Sequence, residues 1–450
     1  MFEKQIESIK NDEVRAVLNK ALSQISPLFY EEGASSTGKY HPDYAAGEGG
    51  LYRHVQAATN FAIMLLDISD VLSSNNDSYQ KDIIIAALIL HDSCKKGIDF
   101  SSRYTDFLHP LLVANLMDKA ELSDEENKIW NDICFLISTH MGQWRVDSYH
   151  PEKVLPKIET KEQVFVHFCD YLASRKQINV KAFGVSLKDD EYYEKLEKME
   201  NGDILSYFNE ELKTISNDHI RNITINALQN TNPAFMTASA GKYYPRAYNG
   251  YGGLARYVKT TVYIANLLLD METTFLCDHD KDIIRAALLI HRCADKGVFW
   301  NAKGILANYP MLSRGLIDEN MMDGESFILW DEINSMVETC KGKWNTIKGT
   351  NITLPLPTTG AQLFVHWCVY LASRDEFEFD IFIKDDEKKE KKFEPATEKQ
   401  ISAIQRITVK LEGLSVELPP DAKVDTAHLS KGQAGKIISL LKRLESELSE

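Results

Sequence analysis

Six residues in the first half of the chain are of the types that bind divalent metal ions: His54, the adjacent pair His91-Asp92, His109, His140 and Asp170. Neutral imidazole and carboxylate together suit Mn²⁺, Fe²⁺, Zn²⁺, Ni²⁺ or Co²⁺. A metal held this way can polarise a phosphoryl oxygen and lower the pKa of a water. Adjacent residues on a helix diverge by roughly 100°, given ~3.6 residues per turn. From the end of a helix, however, a His-Asp doublet can reach one ion with both side chains, or bridge two. Any single histidine is explained more simply as part of the fold, so the argument for a site rests on whether the set behaves as a unit.

The chain contains its own test, because it reads nearly the same thing twice. GKYHPDYAAGEGGLYRHV (38–55) returns as GKYYPRAYNGYGGLARYV (241–258), and KDIIIAALILHDSCKKG (81–97) returns as KDIIRAALLIHRCADKG (281–297). Trp130 and Trp330, GQW (142–144) and GKW (342–344), and VFVHFCDYLASR (164–175) and LFVHWCVYLASR (363–374) continue the match. In the second copy His54 becomes Tyr257, Asp92 becomes Arg292, His109 becomes Tyr309, His140 becomes Cys340 and Asp170 becomes Val369; only His91 keeps a counterpart, His291. His41 and Lys95 are replaced by Tyr244 and Asp295. Nearly the whole set is lost while GGL, the tryptophans and YLASR persist, as expected of residues that act as one site. The same comparison removes His167, whose counterpart His366 stays. Trp144 with Trp344 and Arg175 with Arg374 are retained too, and read as serving the fold. Arg292 puts a guanidinium where a carboxylate stood and opposes cation binding. That leaves a phosphate or nucleotide site there, or more simply a pseudo-domain that packs against the first.

The elements that must position these residues are helical. Residues 54–72 and 163–175 have apolar side chains at i, i+3 and i+4, and the run around Ile83, Ala87 and Leu90 is too long and too rich in Ala and Leu for a strand. Breaks fall at Gly47, Gly49 and Gly50, at Pro110, and at Pro151 and Pro156. The expected fold is therefore all-α, with one helical bundle in residues 1–200, a degenerate copy in 201–383, a charged linker in 384–395 and a helical module in 396–450. That module reads as two helices with capping boxes at Thr397/Gln400 and Ser430/Gln433. Ile401, Ile404, Ile407 and Leu411 on one helix, and Ile437, Leu441 and Leu444 on the other, form stripes suited to packing together or docking on a protein partner or a second copy.

The order of the site residues resembles the HD phosphohydrolase superfamily. Its pattern is a single His, an HD doublet ending a helix and a distant Asp on a later helix, with extra histidines in members that hold two metals. GKYHPxYxxGEGGLYRH is similar to the HHxxxxGGLLxH entry segment of exonuclease-type HD proteins, and HDSCK (91–95) is similar to their HDxGK, with Cys94 replacing the glycine. The motifs cover residues 38–175 and, as a frame only, 241–374; residues 384–450 lie outside. The resemblance implies tandem HD-type bundles, the second degenerate. It places His54, His91, Asp92 and Asp170 around one ion, with Asp92 bridging to a second held by His109 and His140. Lys95 becomes the phosphate contact, and His41 a ligand or a general acid near the leaving group. The implied cofactor is one or two divalent ions (Mn, Fe, Zn, Ni, Co or Mg). The implied activity is metal-dependent hydrolysis of a nucleotide or short oligonucleotide, linear or cyclic, by metal-activated water. A 3′-exonuclease on single strands and a non-catalytic nucleotide sensor are the alternatives.

Composition narrows the partners. The 450 residues carry a formal charge of −15, which disfavours a broad basic face for long duplex nucleic acid. No apolar run approaches the ~20 residues that span a bilayer, so no membrane segment is expected. The start, MFEKQIESIKNDEVR, lacks a secretory apolar core, so a cytoplasmic location is expected. Seven scattered cysteines without a CxxC support neither a disulfide framework nor a zinc ribbon.

Overall fold

A computed structural model of the chain describes residues 1–35, 41–69, 78–183, 190–198, 201–271, 275–298, 306–347, 350–379, 381–382 and 396–413, together with Ala434, Ile437, Ile438 and Leu441. The chain forms two compact units, Met1–Phe382 and Ile383–Glu450. In the first unit the order is α1 (Glu3–Glu7), α2 (Asp12–Leu22), α3 (Gly50–Ile68), α4 (Ser78–Leu90), α5 (His109–Leu112), α6 (Asp124–Ile137), α7 (Lys161–Ala173) and strand β1 (Ile178–Val180). Then come α8 (Asp190–Lys198), α9 (Ile204–Tyr207), α10 (Asn209–Lys213), α11 (Asp218–Gln229), α12 (Gly253–Leu269), α13 (Asp278–Ile290), α14 (Tyr309–Leu312), α15 (Gly324–Thr339), α16 (Gly360–Ala372) and strand β2 (Phe377–Phe379). The protein is mostly helical, as its periodicity predicts.

In each repeat one helix is buried on every side. Ile83 to Leu90 of α4 and Ile283 to Ile290 of α13 have no exposed residue. Helix α4 packs against α2, α3, α6 and α7, and α13 packs against α11, α12, α15 and α16. The same local devices fix both bundles. Buried Asp82 accepts hydrogen bonds from the Lys10 and Asn11 amides at 3.1 and 2.8 Å, and Asp282 accepts from Ser216 and Asn217 at 3.0 and 2.8 Å. Capping boxes Thr160/Gln163 and Thr359/Gln362 start α7 and α16.

The glycine pair of GGL explains why α3 begins at Gly50, ahead of the apolar periodicity. Gly49, at φ 68°, is in the left-handed region, and a Cβ on Gly50 would lie 2.2 Å from the Ala45 carbonyl oxygen. In the second repeat Gly252 has φ 69°, and a Cβ on Gly253 would lie 1.8 Å from the Tyr248 carbonyl oxygen. This is the turn that aims α3, and with it His54.

A two-stranded sheet interrupts the all-α expectation. β1 and β2 pair antiparallel, with Ile178 opposite Phe379, Asn179 opposite Glu378 and Val180 opposite Phe377. Both strands follow YLASR in their own repeat, so equivalent segments pair with each other about Asn179 and Glu378. Ring contacts repeat the symmetry: Phe165 meets Trp367 at 5.4 Å and Phe168 meets Phe364 at 6.4 Å between centroids, two pairs that exchange when the repeats are exchanged. One continuous core runs through both halves. Three-residue strands are too short for a period-2 signal, and each partner lies about two hundred positions away, so the sheet was invisible to pattern reading.

In the second unit, α17 (Glu398–Gly413) starts at a Thr397/Gln400 capping pair, with the Gln400 amide donating to Thr397 Oγ1 at 3.2 Å. Its Ile404, Ile407 and Leu411 are buried with Ala434, Ile437 and Leu441, so the two apolar stripes pack on each other. Ser430, Gln433, Leu444 and the segment 384–395 lie outside the described residues. Among the described residues, no helix is long and apolar enough to cross a membrane.

Candidate metal centre

Helix α4 ends at Leu90, so His91 and Asp92 leave its end together, in a region where His54, His91, Asp92, His109 and His140 are at most 2% exposed. Helix α3 contributes His54, the start of α5 contributes His109, the turn after α6 contributes His140, and the last turns of α7 contribute Asp170. The two oxygens of Asp92 face different neighbours. Oδ2 lies 3.7 Å from His54 Nε2 and 3.6 Å from His91 Nε2, while Oδ1 lies 3.2 Å from His109 Nε2 and 3.8 Å from His140 Nε2. Asp170 Oδ1 is 2.9 Å from His54 Nε2 and 3.5 Å from His91 Nε2. Two groups have ligand atoms close enough to share an ion: His54, His91 and Asp170, and His91, Asp92 and His140.

The backbone orients the imidazoles. Nδ1 of His91, His109 and His140 donates to the carbonyl three residues back, at Leu88 (2.7 Å), Asp106 (2.7 Å) and Ile137 (2.8 Å). That sets the tautomer and turns Nε2 toward the cluster, where Nε2 of His109 and of His140 lie 3.1 Å apart; His291 of the second repeat makes the same bond to the Leu288 carbonyl. The buried Nε2 of His91 has no hydrogen-bond partner. These buried His and Asp groups can therefore hold a metal ion. The three carbonyls are backbone atoms, which residue types do not display.

The electrostatics suit a cation. Burial pushes the Asp92 carboxyl up, but Lys95, His91 and His109 outweigh it and hold it well below the usual range. Burial likewise opposes the charge on Asp170, and His54 and His91 overcome it. Burial, His109 and His91 push His140 down to about 3, and burial, Lys95 and His54 push His41 down to about 2, so both are neutral near pH 7. The His41 ring meets that of His54 at 4.8 Å, edge to face. Lys95 Nζ binds Asp92 Oδ2 at 2.6 Å. His167 points elsewhere: its Nδ1 donates to the His140 carbonyl at 2.7 Å, and its Nε2 lies against Gly142.

The second repeat fills the equivalent space with its own side chains. Arg292, 2% exposed, donates from Nε to Asp295 Oδ2 at 2.7 Å and from Nη1 to the Tyr244 hydroxyl at 2.8 Å. Its guanidinium lies 4.7 Å from the Tyr309 ring centroid and 5.4 Å from that of Tyr257. Tyr257 donates to the Val369 carbonyl at 2.9 Å, across the gap that His54 and Asp170 span in the first repeat. The buried ion pair of the first repeat, Asp92 with Lys95, thus returns with its charges exchanged as Arg292 with Asp295. Burial opposes the Arg292 charge, but Asp295 outweighs it and the guanidinium stays protonated.

No protein-family model matches this chain, and neither a curated protein nor a solved structure shows significant similarity to it.

Proposed function

We propose that the first repeat is a metal-dependent phosphohydrolase of the HD type, acting on a nucleotide or short oligonucleotide, and that the second is a degenerate copy of it. The observation that carries this reading is the Asp92 carboxylate, whose two oxygens face separate histidine sets. His54, His91, Asp92 and Asp170 would hold one ion, and Asp92, His109 and His140 a second. Ions bound there supply Lewis acidity at a phosphoryl oxygen and a water of lowered pKa. The rest falls to the protein. The carbonyls of Leu88, Asp106 and Ile137 keep Nε2 pointed inward, and the depressed carboxyl pKa values keep Asp92 and Asp170 ionised. Lys95 is placed to leave Asp92 for a substrate phosphate, and His41, neutral near pH 7, is at hand as a ligand.

The test is metal analysis of purified protein together with phosphate-release assays on mononucleotides, cyclic dinucleotides and single strands, wild type beside Asp92→Ala. Metal-loaded protein that releases nothing from any of them ends the enzyme reading and favours a nucleotide sensor. Release from single-strand 3′ ends alone selects the exonuclease.

A further inference from the structure

One arrangement is kept in both repeats although the candidate metal ligands are not. In the first, the Trp144 ring stacks on Tyr171 at 5.7 Å and 19°, and the Arg175 guanidinium sits 3.9 Å from the Tyr171 centroid. In the second, Trp344 stacks on Tyr370 at 5.2 Å and 10°, with Arg374 at 4.6 Å. Part of this has a plain structural cause. A Cβ on Gly142 or Gly342 would lie 2.1 or 2.2 Å from Nε2 of His167 or His366, so glycine and histidine must be kept together.

That cause does not reach the tryptophans. Trp144 is 44% exposed and Trp344 49%, although a tyrosine covers part of each ring. A core needs no large aromatic ring half in water, whereas a stacking surface does. The arginines, each lying on a tyrosine ring, have no charged partner among the described residues. Arg175 and Arg374 hydrogen-bond only their neighbouring serines, Ser174 and Ser373, and face no carboxylate at ion-pair distance among the described residues. At Trp344, Lys343 adds a second cation 5.1 Å from the ring, itself tied to Asp67. An exposed tryptophan stacked on a tyrosine that also carries a guanidinium with no carboxylate at ion-pair distance among the described residues fits a planar base that carries a phosphate.

We infer that each repeat carries a nucleotide-binding platform, Trp144–Tyr171–Arg175 and Trp344–Tyr370–Arg374, that stacks the base on tryptophan and meets the phosphate with arginine without needing a metal. The first platform adjoins the metal-ligand cluster, since Tyr171 follows Asp170 in the chain and His167, beneath Trp144, is bonded to the His140 carbonyl. The second adjoins the pocket filled by Arg292. It would bind a nucleotide without a metal-ligand set beside it.

The experiment titrates chelator-treated full-length protein with 5′-AMP, followed by calorimetry and tryptophan fluorescence. Two sites are expected. Trp144→Ala and Trp344→Ala should each weaken one site by at least ~5-fold, the scale of a lost base–aromatic stack. Trp144→Phe and Trp344→Phe should keep both, and Arg175→Gln and Arg374→Gln, which leave the rings intact, should weaken phosphate-bearing ligand more than adenosine. Absence of saturable AMP binding, equal binding by wild type and both alanine variants, or full competition by inorganic phosphate alone overturns the inference. Because no metal or turnover is involved, two AMP sites in a protein that hydrolyses nothing would remove the proposed enzyme and leave the platforms standing.

Discussion

The two pockets of this molecule solve one electrostatic problem in opposite ways. Each lies at the end of a helix whose last eight residues are all buried, where an uncompensated charge would be costly. The first gathers two carboxylates and four imidazoles with a single lysine on Asp92, a set that can hold a cation from outside. The second contributes its own cation, Arg292, paired with Asp295 and ringed by tyrosines. The charges of one i,i+3 pair are exchanged, His54, His109 and His140 are replaced by Tyr257, Tyr309 and Cys340 while His291 stays, and a cluster that can hold a metal ion becomes a closed piece of core.

Breaking the first pocket should have the largest effect. Asp92→Ala is expected to abolish phosphate release and to weaken metal binding by more than ~100-fold, beyond what loss of an outer-shell partner costs. Asp295→Ala should leave the metal content of the protein unchanged; metal analysis of both variants checks the contrast. Next comes Arg292→Ala, which strands a buried carboxylate and should cost about 3–5 kcal/mol in denaturant unfolding. The double variant Arg292→Met/Asp295→Leu should recover most of that loss. Gly142→Ala and Gly342→Ala probe what the repeats share. Each forces a Cβ onto a buried histidine at positive φ, and each should cost roughly 2 kcal/mol, nearly equal between repeats. Unequal costs would mean that the retained frame has also diverged.

A further contrast lies in pH. In metal-free protein the folded state keeps His140 neutral down to about 3, against an ordinary value of 6.5. The unfolded chain therefore binds a proton first, and stability from this group is full above pH 6.5 and falls as pH drops toward about 3. The slope is about 1.4 kcal/mol per pH unit for one histidine. His91, raised by Asp92 and Asp170 against burial, acts in the opposite sense: its contribution is present at low pH and lost as pH rises through its folded value. His140→Cys, which installs the residue of the second copy, should flatten the His140 part of the acid-side slope measured by urea unfolding at stepped pH. An unchanged slope would mean that His140 does not stay neutral in the folded state.

Much of this was legible in the sequence because the chain carries its own comparison. The ligand candidates stood out because their replacements, Tyr257, Arg292, Tyr309, Cys340 and Val369, coincide with an unchanged frame, and the helices stood out because α3, α7 and their copies keep strict apolar spacing. Other features depend on atoms that residue types do not display. The Nδ1 bonds to Leu88, Asp106 and Ile137 go to backbone carbonyls. The exchange of the 92/95 pair was visible as two separate substitutions, but its meaning lies in the buried contact between them. The β1–β2 pairing needed the two halves to be brought together.

That pairing has a consequence for how the molecule works on dilution. Equivalent segments meet about a local two-fold, the geometry by which two identical subunits associate. Here the two partners are covalently joined, so the mate of the first repeat is present at an effective concentration set by the connecting chain, not by the amount of protein in solution. A pair of separate subunits would come apart as the protein became scarce. This chain keeps its assembly, and with it the candidate metal centre of the first repeat, at any concentration.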